Sequence, residues 1–195
     1  MHDTDTRLAR INLGLICFII VVWFYIVVTP LAAQINIWVD GFAGQKDRLS
    51  RLLDDPKGSI SQSNVNRLIV PGMLLDSAIQ NSDKPDLHEN VWHLPESSTP
   101  NQGGNTVLVS DRFSYNNAYG NFYFLDKLKP GDKLGVVWRQ KLYHYKVVDS
   151  KTYSAHQNDP LAKESQQPSL TLYSAGPLWY QNKRLVVTAQ LTDPQ

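Results

Sequence analysis

The sequence predicts a mainly β domain carried behind one apolar helix. Three observations lead there. A charge-free apolar run lies near the N-terminus, the hydrophobic period changes from helical to alternating near residue 65, and short apolar runs separated by turn residues fill the rest of the chain.

The apolar run extends from Leu13 to Val28 without a charge. With Ile11 and the tail Thr29 to Ala33 it approaches the roughly 20 residues a helix needs to cross a bilayer. Arg7 and Arg10 precede it, whereas Lys46, Arg48 and Arg51 follow at a distance. That bias sets the N-terminus inside the cell and the rest of the chain outside. The expectation is a cytoplasmic tail over 1–10 and a transmembrane helix over 11–33. A cleaved signal peptide is the weaker reading, because its apolar core is usually about 7–15 residues and ends in a small-x-small site. Leu31-Ala32-Ala33 matches that site poorly.

Residues 34–64 read as a stalk. Ile35, Trp38, Val39 and Phe42 recur at helical spacing, as do Leu49, Leu52 and Leu53, while Gly41 and Gly44 weaken the helix. This broken amphipathic helix is expected to pack on the domain rather than lie on the membrane. Asp54-Asp55-Pro56-Lys57-Gly58-Ser59 is turn chemistry, so the globular domain is placed at 65–195.

The strands come in order: Arg67 to Val70, Thr106 to Val109, Lys133 to Trp138, Lys141 to Val148, Ser169 to Tyr173 and Arg184 to Leu191. The third and fourth pair as a hairpin across Arg139-Gln140, which are not favoured turn residues. Many short strands at this spacing suggest a barrel or sandwich. Phe122, Leu125 and Leu128 predict one helix over 123–128. Residues 150–168 are polar and contain Pro160 and Pro168, which predicts a long loop.

Composition excludes several functions. The net charge is +1, which offers no bulk attraction to nucleic acid. The one cysteine, Cys17, lies in the apolar run, so the domain can form neither an internal disulfide nor a thiolate metal site. No His/Cys/Asp/Glu cluster has ligand spacing, so neither a metal nor another cofactor is expected.

Six segments, in order, resemble the sortase family. Arg67-Leu68-Ile69-Val70-Pro71 is similar to the family's opening "L-x-I-P" strand, and Asn90 to Pro95 with Gly103 to Leu108 is similar to the approach to its catalytic histidine. Phe122 to Asp132 resembles its helix and "GD" turn. Leu142 to Val147 resembles its "Y-x-V" strand. Leu170 to Ala175 and Arg184 to Val187 resemble the strands that carry its cysteine and its arginine. The layout is most similar to class D and E-like sortases. The resemblance implies an eight-stranded β-barrel with short helices on the outer face of a bacterial membrane. It also implies transfer of an "LPxTG"-type sorting signal through a cysteine thioester, with a histidine and an arginine assisting.

Against that pattern, the cysteine position is Ala175, the histidine position is Asp111 within Ser110-Asp111-Arg112, and the arginine position is retained as Arg184. A methyl group cannot attack a carbonyl, and a carboxylate near neutral pH cannot protonate a leaving amine. Ser174 neighbours the nucleophile position but belongs to the opposite face of a strand. His93, His144 and His156 read as packed, solvated or loop residues. The expectation is an inactive surface homologue with no intact catalytic set. It would bind a sorting-signal peptide or a surface-protein partner through Arg184, Asp111, Ala175 and Ser174. The alternatives are an active cysteine transpeptidase seen as an inactive variant, and a structural surface protein with a vestigial groove. Two losses on separate strands favour natural degeneracy over a single trapping substitution.

Overall fold

The computed structural model describes residues 12–25, 42–54, 65–82, 87, 90–112, 120–154, 167–175 and 183–193. Helix α1 covers 12–25, and its large apolar side chains are exposed, Leu13 and Trp23 among them. No described helix is long and apolar enough to cross a membrane. The remainder of the expected span over 11–33, and residues 34–41 of the expected stalk, lie outside the described residues.

Helix α2, Phe42–Asp54, belongs to the same compact unit as the strands. It buries Leu49 and Leu53 on Ile69, Val137 and Leu142, outside the main core, as the leucine spacing predicts. Burial of two leucines contributes about 1.5–3 kcal/mol each. Gly135 makes the approach possible: a Cβ there would lie 2.5 Å from Leu53 Cδ2 and 2.9 Å from Leu142 Cδ1.

Eight strands follow: β1 Arg67–Val70, β2 Leu75–Gln80, β3 Val91–His93, β4 Asn105–Val109, β5 Lys133–Trp138, β6 Lys141–Ser154, β7 Ser169–Ala175 and β8 Lys183–Asp193. They close into a barrel in the order β1-β2-β3-β4-β7-β8-β6-β5. The pairs β2–β3 and β4–β7 are parallel, and the other pairs are antiparallel. Period-two alternation sends Leu108, Tyr143, Tyr145, Leu170, Leu172, Leu185 and Val187 into one interior core. Tyr145 is fully buried, and its phenol pairs with Thr106; burial pushes its ionisation well above the ordinary tyrosine range.

Three features depart from the sequence reading. β2 and β3 are added strands: Leu75, Ser77 and Ile79 face inward, but Ser77 interrupts the apolar alternation, and β3 is only three residues long. β6 continues through Ser154, so 150–154 is strand rather than loop. Its last residues pair with β8 after a register shift between Val147 and Asp149, and most of them are exposed, which leaves no apolar signal. Finally, the expected helix over 123–128 shrinks to a 3-10 turn at Leu125–Lys127. Phe122, Leu125 and Leu128 are buried at intervals of three, the period of a 3-10 helix. Leu128, which precedes Lys129-Pro130, has already turned extended (ψ 134°).

The β5–β6 hairpin forms across Arg139-Gln140 as expected, with both residues at positive φ (49° and 63°). That conformation is what a two-residue type I′ turn requires, even without glycine or asparagine. Asn66 Oδ1 accepts a hydrogen bond from Arg139 N at 2.9 Å and helps hold it.

Candidate functional site

β4 and β7 run parallel in register, from Asn105 opposite Ser169 to Val109 opposite Tyr173. Their C-terminal ends therefore reach one rim of the barrel together. Two bonds staple the ends: Ser110 N donates to Tyr173 O (3.4 Å), and Ser174 Oγ donates to Ser110 O (2.5 Å). Ser174 is 1% exposed, so its hydroxyl serves this staple inside the barrel and offers nothing to a ligand at the surface.

Asp111 follows directly and is held through its backbone. Its N–H donates to Leu87 O (3.2 Å), and its carbonyl accepts from Phe122 N (3.1 Å). Gly120 packs so closely that a Cβ would lie 2.0 Å from Asp111 O. Arg112, the next residue, is buried. Its Nη2 donates to Tyr123 O (3.1 Å) and Asp126 Oδ1 (2.6 Å), while its buried Nε has no partner. Segment 120–128 is thus pinned to the end of β4 by an ion pair that sequence reasoning passed over. Only the spacing of Arg112 to the acid at Asp126 offered a signal for it.

On β7, Ala175 stands opposite Arg184 of β8. Arg184 is half-buried, and its Nη1 donates to Lys183 O (3.0 Å). Since Leu185, Val187 and Ala189 point into the core, Arg184 and Val186 belong to the outer face. The fold therefore brings Asp111, Ala175 and Arg184 to one rim. Among the described residues no three His, Cys, Asp or Glu groups gather in a metal-holding cluster.

The histidines divide as follows. His93 is buried, with Nε2 3.1 Å from Ser98 O and 3.3 Å from Ser97 Oγ, and its ring lies tilted on Trp138 at 5.1 Å. His144 pairs with Gly135 in the β5–β6 ladder and is partly exposed. His156 lies outside the described residues. Burial lowers the basicity of His93 below the ordinary value of about 6.5, and the Ser98 carbonyl opposes this more weakly. A depressed native value means that the unfolded chain binds the proton first. The contribution of neutral His93 is complete above about pH 6.5 and is lost as pH falls through the native value. Thermal melts should therefore show stability falling below pH 6.5 in the wild type and falling less in His93→Gln. Parallel slopes in the two proteins would assign the acid sensitivity to other groups.

A closed eight-stranded barrel with two parallel strand pairs, and a rim site at the ends of β4, β7 and β8, defines a sortase-like protein. The chain belongs to the sortase family: the family model described as "Sortase domain" matches residues 59–192. Solved structures agree on the fold. Sortase C-1 from Actinomyces oris is 21% identical, with 78% of this chain and 99% of that chain covered at a TM-score of 0.59. A Clostridium perfringens sortase D5 transpeptidase is 18% identical, covering 79% and 92% at 0.56. Sortase A from Corynebacterium diphtheriae is 20% identical at 0.59, and the match spans 68% of this chain and 62% of that one. No curated protein matches the sequence.

Proposed function

We propose that this sortase-family chain is an inactive homologue, anchored by its N-terminal apolar helix with the barrel outside the cell, which binds extended peptides at the rim without cutting them. One observation carries the reading: position 175 is alanine and position 111, just past the end of β4, is aspartate, with arginine at 184 opposite 175. The first two residue types can supply neither a thiolate nor a proton-donating imidazole. The third binds a peptide carbonyl or carboxylate through its planar fork without any proton transfer. Support for the anchor comes from the charge-free run, the arginines before it, and the exposed apolar side chains of α1. Asp111 adds negative charge to the same rim, so neutral or basic peptides are favoured over acidic ones.

The test is a titration of the full chain in detergent with acetylated, amidated pentapeptides, both LPxTG and unrelated sequences, with cleavage followed in parallel. Losing a charge-assisted hydrogen bond costs about 1.5–3 kcal/mol, so Arg184→Ala should weaken the tightest peptide roughly tenfold or more. No cleavage is expected. Turnover above a heat-killed control would sink the inactive reading. Absence of binding up to millimolar peptide would leave the rim vestigial.

A further inference from the structure

Charge is spread unevenly around the barrel. Helix α2 and the hairpin segment 133–148 hold seven of the chain's 19 lysines and arginines but only two of its 18 acids. Neither acid is in the hairpin, whose charges are Lys133, Arg139, Lys141 and Lys146, all four exposed. Lys133 stands directly opposite Lys146 in the β5–β6 ladder, where like charges repel and cost stability. Among the described residues none of the four pairs with an acid, and Lys141 lies over the Tyr143 ring, 5.7 Å from its centroid. Val137 and Leu142, a facing pair, lie under α2 outside the main core. Lys133 and Lys146 are each four residues from that pair, an even step, so they share its outer face. Lys46, Arg48 and Arg51 add exposed cations on α2 itself, against Asp47 and Asp54. In the ring of strands β5 is four places from β4 in either direction, so this basic side lies across the barrel from the end of β4 that leads to Asp111.

We infer that the side of the barrel formed by α2 and the β5–β6 hairpin docks on the headgroups of an anionic bilayer, and so turns the rim site away from the membrane. This rests on the anchor in the reading above and not on peptide binding. Only residues 26–41 separate α1 from α2, and even a fully extended chain of that length reaches no more than roughly 60 Å. The domain therefore stays within reach of the lipid surface to which α1 would tie it. Each cation that comes within a Debye length of anionic headgroups adds attraction, and the hairpin brings four with no acid to offset them. Lysine suits a fluid headgroup layer: a flexible stem carries a point charge that meets a phosphate without a fixed geometry. A phosphate between Lys133 and Lys146 also relieves their repulsion. A protein partner would need apolar anchors here, but Leu49, Leu53, Val137 and Leu142 are already buried against one another. Val148, 42% exposed and two residues from Lys146, is the large apolar side chain the hairpin leaves open.

The experiment places the full chain, with Cys17→Ser and a single bimane-labelled cysteine, in nanodiscs containing a headgroup-spin-labelled lipid. Val148→Cys reports from beside Lys146, and Glu96→Cys reports from the connection between β3 and β4 across the barrel. Discs of mixed phosphatidylcholine and phosphatidylglycerol should quench the label at 148 and spare the one at 96. Discs of phosphatidylcholine alone should leave both labels bright. Lys133→Gln with Lys146→Gln should lower the docking equilibrium in anionic discs roughly thirtyfold, each cation near the surface being worth about a factor of five. Both lysines are exposed and face each other, so the glutamine pair should melt no lower than wild type, which separates lost docking from lost folding. Equal quenching at 148 in the two kinds of disc, docking unchanged in the glutamine pair, or stronger quenching at 96 overturns the inference. If the chain enters anionic discs and neither label is quenched, this inference fails and the anchor reading stands. If the chain does not enter discs at all, both fall together.

Discussion

A chain carrying Ala175→Cys and Asp111→His together, in a Cys17→Ser background, should form an acyl-enzyme with an LPxTG peptide, whereas Ala175→Cys alone should form almost none. An ordinary thiol ionises near pH 8.5, and only its thiolate attacks a carbonyl. A neighbouring carboxylate raises that value, while an imidazolium lowers it and can also protonate the leaving amine. General acid–base assistance is typically worth about 10²–10⁴ in rate, so the double variant should exceed the single one by at least about a hundredfold. The backbone at 111 is held by bonds to Leu87 and Phe122, which do not involve the side chain and should survive the change. Adding Arg184→Ala to the double variant should cost about 10²–10³ if the guanidinium meets the developing oxyanion. Intact-protein mass spectrometry reads the adduct, and the Cys17→Ser change removes the one competing thiol. Equal acylation of single and double variants would show that position 111 does not serve the nucleophile position.

The strands that carry Ala175 and Arg184 were legible in the sequence as apolar runs, whereas the three positions themselves came from the family resemblance. Leu170-Thr171-Leu172 and Leu185-Val186-Val187 define β7 and β8, and their register then fixes Ala175 against Arg184. Elements were lost wherever burial and hydrogen bonding part company. The end of β6 is held by ladder bonds to β8 while most of its side chains stay in solvent, so no apolar period marks it. The register shift between Val147 and Asp149 also breaks the count along the strand.

The opposite failure occurred at Phe122, Leu125 and Leu128. Their burial was correctly expected, but an interval of three suits a 3-10 turn as well as one face of an α-helix. The bonds of Arg112 to Tyr123 and Asp126 then fasten this turn to the end of β4, a tertiary contact that no local pattern announces. Ser174 illustrates the same limit more mildly. Alternation placed it on the face opposite position 175, but only the structure reveals that its hydroxyl joins the ends of β4 and β7.

The same junction sets the second large effect, on stability. Gly120→Ala should strongly destabilise the barrel and carry the rim with it. A Cβ at residue 120 would lie 2.0 Å from Asp111 O, 2.5 Å from Asp111 C and 3.0 Å from Arg112 C. All three are backbone atoms, so no side-chain rotamer can relieve the overlap. Overpacking of a tight site usually costs about 1–3 kcal/mol, and a clash with backbone belongs at the upper end. For a unit of this size, about 3 kcal/mol corresponds to a fall in Tm of roughly 6–12 °C. The carbonyl that would be displaced is the acceptor for Phe122 N, so relief of the clash also loosens the segment that Arg112 secures. Gly44→Ala is the matched control. That glycine is exposed in α2 with nothing within 4 Å of a Cβ, and alanine favours a helix by up to about 1 kcal/mol. Melting curves should therefore move down for Gly120→Ala and stay level or rise for Gly44→Ala. An unchanged Tm for Gly120→Ala would mean that the ends of β4 and segment 120–128 are not packed against each other as described, and the placement of Asp111 at the rim would go with it.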